Sequence, residues 1–295
     1  MRAAGERLYG TTDLPVLLPP GERLLRRASR ERTDGVPRLT LKAWHGAVIA
    51  AVVLLAAAAA QAQGAAEARP GVLTALWKWV PLLVEGFLFN IAISFLGMGI
   101  GTALGTVLGV MQISLLPPVR AGSWIVTQFF RNAPWLVLLF FCMFLLPFEF
   151  RVMGFVVPFP DWVKATLGLS LPVMANVSEI VRGAVQSIPS GQWEAAESLA
   201  FSRRQTLVQI ILPQCIKRML PPWMNLYAIL TMATVLASVV GVSEVMTLTQ
   251  RVLSAESRPE LLVPFYGFVL LLFFMYCYPI ARFTHKLELR YVVKL

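Results

Sequence analysis

Six polar side chains stand inside or beside long uncharged runs: Glu85, Asn90, Arg131, Asn132, Asn176 and Glu179. A charge at membrane depth costs about 2.5–3.5 kcal/mol on insertion scales. Such groups either face a bundle interior or a water-filled path, or lie near the interface and snorkel. Glu179 and Arg182 are three apart on one helical stretch, so they can pair. The chemistry on offer is contact with a polar substrate through hydrogen bonds and ion pairs, with Arg131, Asn132, Asn176 and Glu179 as the candidate pathway residues. Bond-breaking chemistry finds no support in the residue placement. His45 and His285 lie at opposite ends of the chain, and Cys142, Cys215 and Cys277 share no metal or disulfide spacing. No metal site is expected.

A second cluster lies in the polar stretch 187–213, which reads as two short helices. If Gly191 caps the first, Glu194 takes its third position, where a carboxylate suits a helix start. Trp193, Ala196, Leu199 and Ala200 then share an apolar side. Ser202 and Gln205 form a capping box for the second helix. Its apolar face is Leu207, Val208, Ile210 and Ile211, and Pro213 is expected to stop it. Taken alone, such a pair would lie on the bilayer surface.

The elements that must position these residues are apolar helices. Of 295 residues, 57% are hydrophobic and 14% charged, against about 25% charged in a soluble domain. Mean hydropathy is +0.67. The composition excludes a soluble domain, a disordered chain and a disulfide scaffold. A span needs about 20 mainly apolar residues. Candidates are 44–66, 86–119, 132–148, 165–178 continuing towards Arg182, 219–243 and 261–281, six in all. The segment 44–66 follows a long polar leader and is read as an anchor, not a cleaved signal. Lys and Arg concentrate in residues 1–43, in the 182–218 stretch and at the C-terminus, which places these in the cytoplasm. The net charge of +10 is then loop charge and calls for no nucleic acid. Gly97, Gly101, Gly105 and Gly109 lie on one helix face, where a neighbouring helix can approach closely.

The spaced string Glu194-Ala195-Ala196, Ala200, Ile210-x-Leu212-Pro213 resembles the EAA loop of permease subunits in bacterial ABC importers. The one departure is Ala200, where the family has Gly. Glu179-x-x-Arg182-Gly183 followed by Gly191-Gln192 resembles the lead-in of the polar amino acid permease family. Pro213-Gln214, Leu220-Pro221-Pro222 and Asn225 continue the likeness. Arg131-Asn132-Ala133-Pro134-Trp135-Leu136-Val137 resembles the family's R-G-T-P-L-L-V element, with departures at Asn132, Ala133 and Trp135. Met232-Ala233-Thr234-Val235-Leu236 departs from its K-D-T-S-L by lacking both charges. The resemblance covers roughly residues 80–285.

The resemblance implies an all-α integral membrane protein, a type I importer permease bundle with a cytoplasmic EAA loop. Its parts would be a cytoplasmic tail (1–43), an N-terminal transmembrane helix (44–66), a permease core (79–285) with coupling loop 187–213, and a C-terminal tail (286–295). The chain would sit in the bacterial inner membrane with both termini cytoplasmic. It would carry polar amino acids by alternating access, without ATPase activity of its own, and the sequence has no GxxxxGK[ST] string. A separate ATPase dimer would hold ATP and Mg, this chain binding no cofactor. A second permease, identical or homologous, and a periplasmic binding protein complete the implied partners, with the lipid bilayer around them. Gly191, Gln192, Glu194, Ala195, Ala196, Ala200 and Pro213 would couple to the ATPase. Other readings are an importer of an opine or compatible solute, and a channel or membrane enzyme outside this class.

Overall fold

Helix α1 runs Val72–Gln112, 41 residues and about 60 Å at 1.5 Å per residue. It is apolar nearly all round, as a membrane helix is, yet it buries a single stripe: Leu83, Gly86, Phe87, Asn90, Ile93, Ser94, Gly97, Gly101, Gly105 and Gly109 among others. The chain is described here from a computed structural model over residues 51–52, 70–152 and 155–291, all within the unit Gly46–Leu295. The tail 1–43 and, but for Ala51 and Val52, the anchor 44–66 lie outside the described residues.

The expected span 86–119 is corrected at both ends. The helix begins at Val72 and ends at Gln112. Its start carries Lys78, whose ammonium lies 3.1 Å from the Glu256 carboxylate. Trp79 Nε1–H donates to the same carboxylate at 2.7 Å. These two partners hold the Glu256 carboxyl below the ordinary range. A turn at 113–116 then leads into α2, Pro117–Asn132, with proline at its first positions, where a missing N–H costs nothing.

Helix α3 spans only Trp135–Leu145, about 16 Å, too short to cross alone. Pro134 removes a donor and holds Ala133 extended (φ −75°, ψ 138°), so α2 and α3 meet at 104°. The expected span 132–148 is thus half of a bent pair. After it come two strands that the all-helical reading did not contain. β1 (Glu149–Val152) pairs antiparallel with β2 (Phe155–Pro158), Glu149 opposite Pro158.

Helix α4 runs Asp161–Gln186 and buries fifteen of its 26 residues. Among the described residues three helices are long and apolar enough to cross a membrane, four if the bent pair counts as one, and α4 is not among them. Asp161, Lys164, Glu179 and Arg182 make it too polar to face lipid on all sides. It is shielded by other helices instead. Lys164 is 0% exposed, its ammonium 3.3 Å from the Asp161 carboxylate and 3.4 Å from the Phe148 ring centre. Leu169, Val173, Val177 and Val181 of α4 join Ile93, Met98, Leu139, Leu226 and Leu230 in the main core.

Helix α5 is Ser190–Ser198. It starts after Pro189, not Gly191, because Pro189 fixes the extended entry (ψ 142°). Glu194 therefore sits in the second turn, beyond reach of the first free N–H groups. Only Ala196 of its apolar set is buried; Trp193 is half-buried and Leu199 is 72% exposed. The helix ends on Ala200 at φ 56°, with Ala200 N–H donating to Glu197 and Phe201 N–H to Ala196. That is a Schellman end with alanine in the left-handed position. The strain costs about 1–2 kcal/mol. Ala200→Gly is expected to stabilise this turn by about 1 kcal/mol, slowing hydrogen exchange at the Phe201 amide about fivefold.

The Ser202–Gln205 capping box forms as expected and opens α6, Arg203–Gln205. Pro213 does not stop the helix. A wide π turn, Thr206–Ile211, precedes α7, Leu212–Ala233. There Leu212 N–H bonds back to Leu207, five residues away. The wider ring moves the carbonyl that a proline would otherwise strike. A 3-10 segment, Thr234–Val240, continues the rod to Gly241 at φ 89°, so Arg203–Val240 is one helix of 38 residues. Helix α8, Val245–Glu256, and helix α9, Leu262–Tyr291, complete the described chain. Helix α9 outruns the expected span 261–281.

Candidate functional site

Glu179 is the hub. It lies on α4, one residue after the fully buried Ser178. Arg182, one turn on, donates to both its oxygens, at 3.2 and 2.6 Å. Arg131, the penultimate residue of α2, places Nη1 3.4 Å from the same carboxylate. One carboxylate thus holds two guanidinium groups from two helices.

The registration of those helices comes from residues absent from the sequence reading. Gln112 Nε2 donates to Thr127 Oγ1 at 2.9 Å and to Ser178 Oγ at 3.1 Å, while the two hydroxyls lie 2.9 Å apart. Gln112, Thr127 and Ser178 are all buried. They tie α1, α2 and α4 one turn from Arg131 and next to Glu179. A hydroxyl in an apolar helix carries little signal by itself, which is why spacing did not reveal them.

Beside this hub is a cavity of about 600 Å³ lined by Arg131, Asn176, Glu179, Arg218, Asn225 and the apolar Ile180, Leu226 and Ile229, among others. Arg218 Nη1 donates to the Ser187 carbonyl at 2.5 Å and to its hydroxyl at 2.9 Å. Asn176 Nδ2 is held by the Pro172 carbonyl at 2.8 Å. Three of the four expected pathway residues therefore meet at one cavity. Asn132 does not line it: its amide donates to the Gln128 carbonyl at 2.7 Å on its own helix, and the residue is exposed. Arg218 and Asn225 are additions that only the folding of α7 against α4 brings in.

The glycine face meets α4. Added Cβ atoms at Gly105 and Gly109 would stand 2.5 Å from the Met174 carbonyl and 2.7 Å from Val181 Cβ. At Gly101 a Cβ would collide with Val173, whereas at Gly97 the nearest atoms are at 3.7 Å. Close approach of α1 is what encloses the Gln112 knot.

The loop residues lie apart from the cavity. Gly191, Gln192, Glu194, Ala195, Ala200 and Pro213 are exposed, and Ala196 is buried. Ala196 and Trp193 fix the inner side of α5, Trp193 against the cluster of Val185, Ile188, Ile211 and Cys215. Gln214 Nε2 bridges weakly to Gln192 at 3.4 Å. Helix α5 is thus clamped between the end of α4 and the start of the 203–240 rod, its outer side open.

Glu244 also escaped the sequence reading. It is 0% exposed and bonded to Asn90 at 2.9 Å. The only signal was a lone acid directly after the apolar run 219–243, which reads as a loop residue.

Similar proteins were found by sequence and by fold. The family of binding-protein-dependent transport system inner membrane components matches residues 101–284. The probable amino-acid ABC transporter permease protein YckA of Bacillus subtilis (strain 168) is 34% identical over 211 residues, 72% of this chain and 89% of its own length. The L-cystine transport system permease protein TcyB of the same organism is 31% identical over 217 residues, with the same shares covered. Among solved structures, the crystal structure of an amino acid ABC transporter with histidines superposes with a TM-score of 0.64. It is 24% identical, over 75% of this chain and 99% of that one. The long apolar helices and these relatives make this a multi-pass inner-membrane protein. With more than half of its length inside the family's match, the chain belongs to the binding-protein-dependent transport system inner membrane components.

Proposed function

We propose that the chain is the permease subunit of an ATP-driven importer of polar amino acids and that the Glu179 cavity lies on the translocation path. The observation that carries this reading is a mechanical one. Helix α4 runs unbroken from Glu179 in the cavity to Gln186, four residues before the exposed helix α5. The 203–240 rod leaves the other side of α5 and brings Arg218 and Asn225 to the same cavity. A push on α5 therefore reaches both walls. The relatives' names supply the amino acid as substrate.

In this reading a cytoplasmic ATPase dimer docks on the outer side of α5 through Gly191, Gln192, Glu194, Ala195 and Ala200, with Ala196 and Pro213 shaping the segment. The ATPase holds ATP and Mg, and this chain hydrolyses nothing. A second permease completes the pore and a periplasmic binding protein delivers the solute. The segment 182–218 and both termini face the cytoplasm. ATP binding shifts the bundle between two arrangements, so that the cavity opens to one side at a time.

The test is energised uptake of labelled polar amino acids in cells with and without this chain, using unlabelled competitors. Loss of ATP-dependent uptake for one competitor group supports the reading; unchanged uptake across the panel removes amino acids as the substrate. Glu179→Gln keeps the volume and leaves two guanidinium groups facing an amide. Hydrogen bonds to charged groups are worth about 1.5–3 kcal/mol, so uptake is expected to fall about tenfold. Immunoblotting of membranes checks that the chain is still present.

A further inference from the structure

Asn90 and Glu244 are both 0% exposed and belong neither to the cavity lining nor to the coupling segment. Asn90 lies midway along α1. Its Nδ2 donates to Thr234 Oγ1 at 2.9 Å and to Glu244 Oε2 at 2.9 Å. Its Oδ1 accepts from Val245 N–H at 3.1 Å. Glu244 Oε1 accepts from Thr247 N–H at 2.9 Å and so caps α8. One turn before Asn90, Gly86 lets the backbone of Val245 come close: a Cβ there would lie 3.0 Å from Val245 Cα.

These bonds grip the 3-10 end of the rod on one side and the start of α8 on the other. Thr234 begins the 3-10 segment, and Glu244 follows Gly241, the left-handed residue on which that segment ends. The rod that ends here starts at Arg203, next to α5, 38 residues away, or about 57 Å. A lever moved at one end does work at the other only if that far end is held. Asn90 supplies the hold, from a helix that the rod crosses but does not continue.

We infer that Asn90 and Glu244 are a positioning pair that anchors the 3-10 end of the rod, 234–241, to α1, so that motion delivered at α5 is converted into opening and closing of the path. The inference rests on the importer reading above. Loss of the pair lets the rod move without consequence at its far end, and ATP is hydrolysed without transport.

The donor pattern dictates the test. The Glu244 carboxyl meets donors on both oxygens, and the Asn90 amide is fixed in orientation by Val245 N–H. Glu244→Gln must set its amide NH₂ against a donor, either the Asn90 NH₂ or the Thr247 N–H. Asn90→Asp sets carboxylate against carboxylate in a buried place. The double exchange Asn90→Asp with Glu244→Gln restores a donor facing an acceptor and still accepts from Val245 N–H, losing only the contact to Thr234.

The assembled importer is reconstituted in liposomes, and amino acid uptake and ATP hydrolysis are measured together. Glu244→Gln is expected to lower uptake per ATP hydrolysed about tenfold, the cost of a buried donor left without an acceptor, with the chain still assembled. Asn90→Asp falls further or fails to assemble. The double exchange regains most of the ratio and melts above both single variants. A purely structural role would lower uptake and hydrolysis together and leave their ratio alone, which would overturn the inference. So would a double exchange that performs no better than Glu244→Gln. Should the unaltered assembly hydrolyse ATP but accumulate no amino acid, the importer reading fails, and the inference with it, whatever the melting data show about the pair.

Discussion

Gly105→Val is expected to remove the chain from the membrane. A Cβ at this position would stand 2.5 Å from the Met174 carbonyl oxygen and 2.7 Å from Val177 Cβ. Ordinary contacts of this kind begin near 3.4 Å, and one of the two opposing atoms belongs to backbone that cannot rotate away. Helices α1 and α4 would have to separate by roughly 1 Å. Overpacking typically costs about 1–3 kcal/mol. Here the separation also strains the Gln112–Thr127–Ser178 knot and thins the core around Val173 and Val177. Association of helices in lipid depends on this kind of close van der Waals fit, because burial of apolar surface contributes little there. Gly99→Ala is the matched control on the same helix, since nothing lies within 4 Å of a Cβ there. Immunoblots of membranes should show Gly99→Ala at full abundance and Gly105→Val nearly absent. Equal abundance of the two would contradict the packing of α1 on α4.

Glu194→Lys is expected to abolish uptake and leave the chain itself intact. Glu194 is exposed on the open side of α5, and only its backbone carbonyl is used, by the Ser198 hydroxyl at 2.9 Å. Exposed substitutions away from such features usually change stability by no more than about 0.5 kcal/mol. A reversed charge at a docked interface costs several kcal/mol, which corresponds to a drop in uptake of more than about tenfold. Membrane abundance and melting temperature should match the unaltered chain. Trp193→Ala gives the contrasting result. Its ring packs on the cluster of Val185, Ile188, Ile211 and Cys215, so truncation should lower stability and uptake together. Normal uptake by Glu194→Lys would remove α5 as the contact with the ATPase.

The Ser202–Gln205 capping box, the helical course of α4 through Glu179 and the Glu179–Arg182 pair were legible in the sequence. Each depends on residues three to a few positions apart, where local geometry fixes the outcome. The membrane class was legible too, since mean hydropathy and charge content need no tertiary information. The family's spaced residues were visible for a related reason: apart from the Arg131–Val137 element, they lie along one continuous stretch from Glu179 to Asn225.

Only the tertiary structure decided the rest. Pro213 was read as a stop because proline cannot join an α ladder, but a wide turn just before it absorbs the misfit and the rod continues to Val240. The uncharged run 86–119 hid a turn at 113–116 because the turn and the first residues of α2 carry no charge. The expected span 86–119 left Lys78 outside the helix that contains it, since its partner Glu256 is 178 residues away. Asn90 was noticed as a polar residue in an apolar run, but Glu244, 154 positions on, was not singled out. A sequence shows which groups are costly to bury. It does not show which distant group removes the cost, because that partner is chosen by how the helices cross.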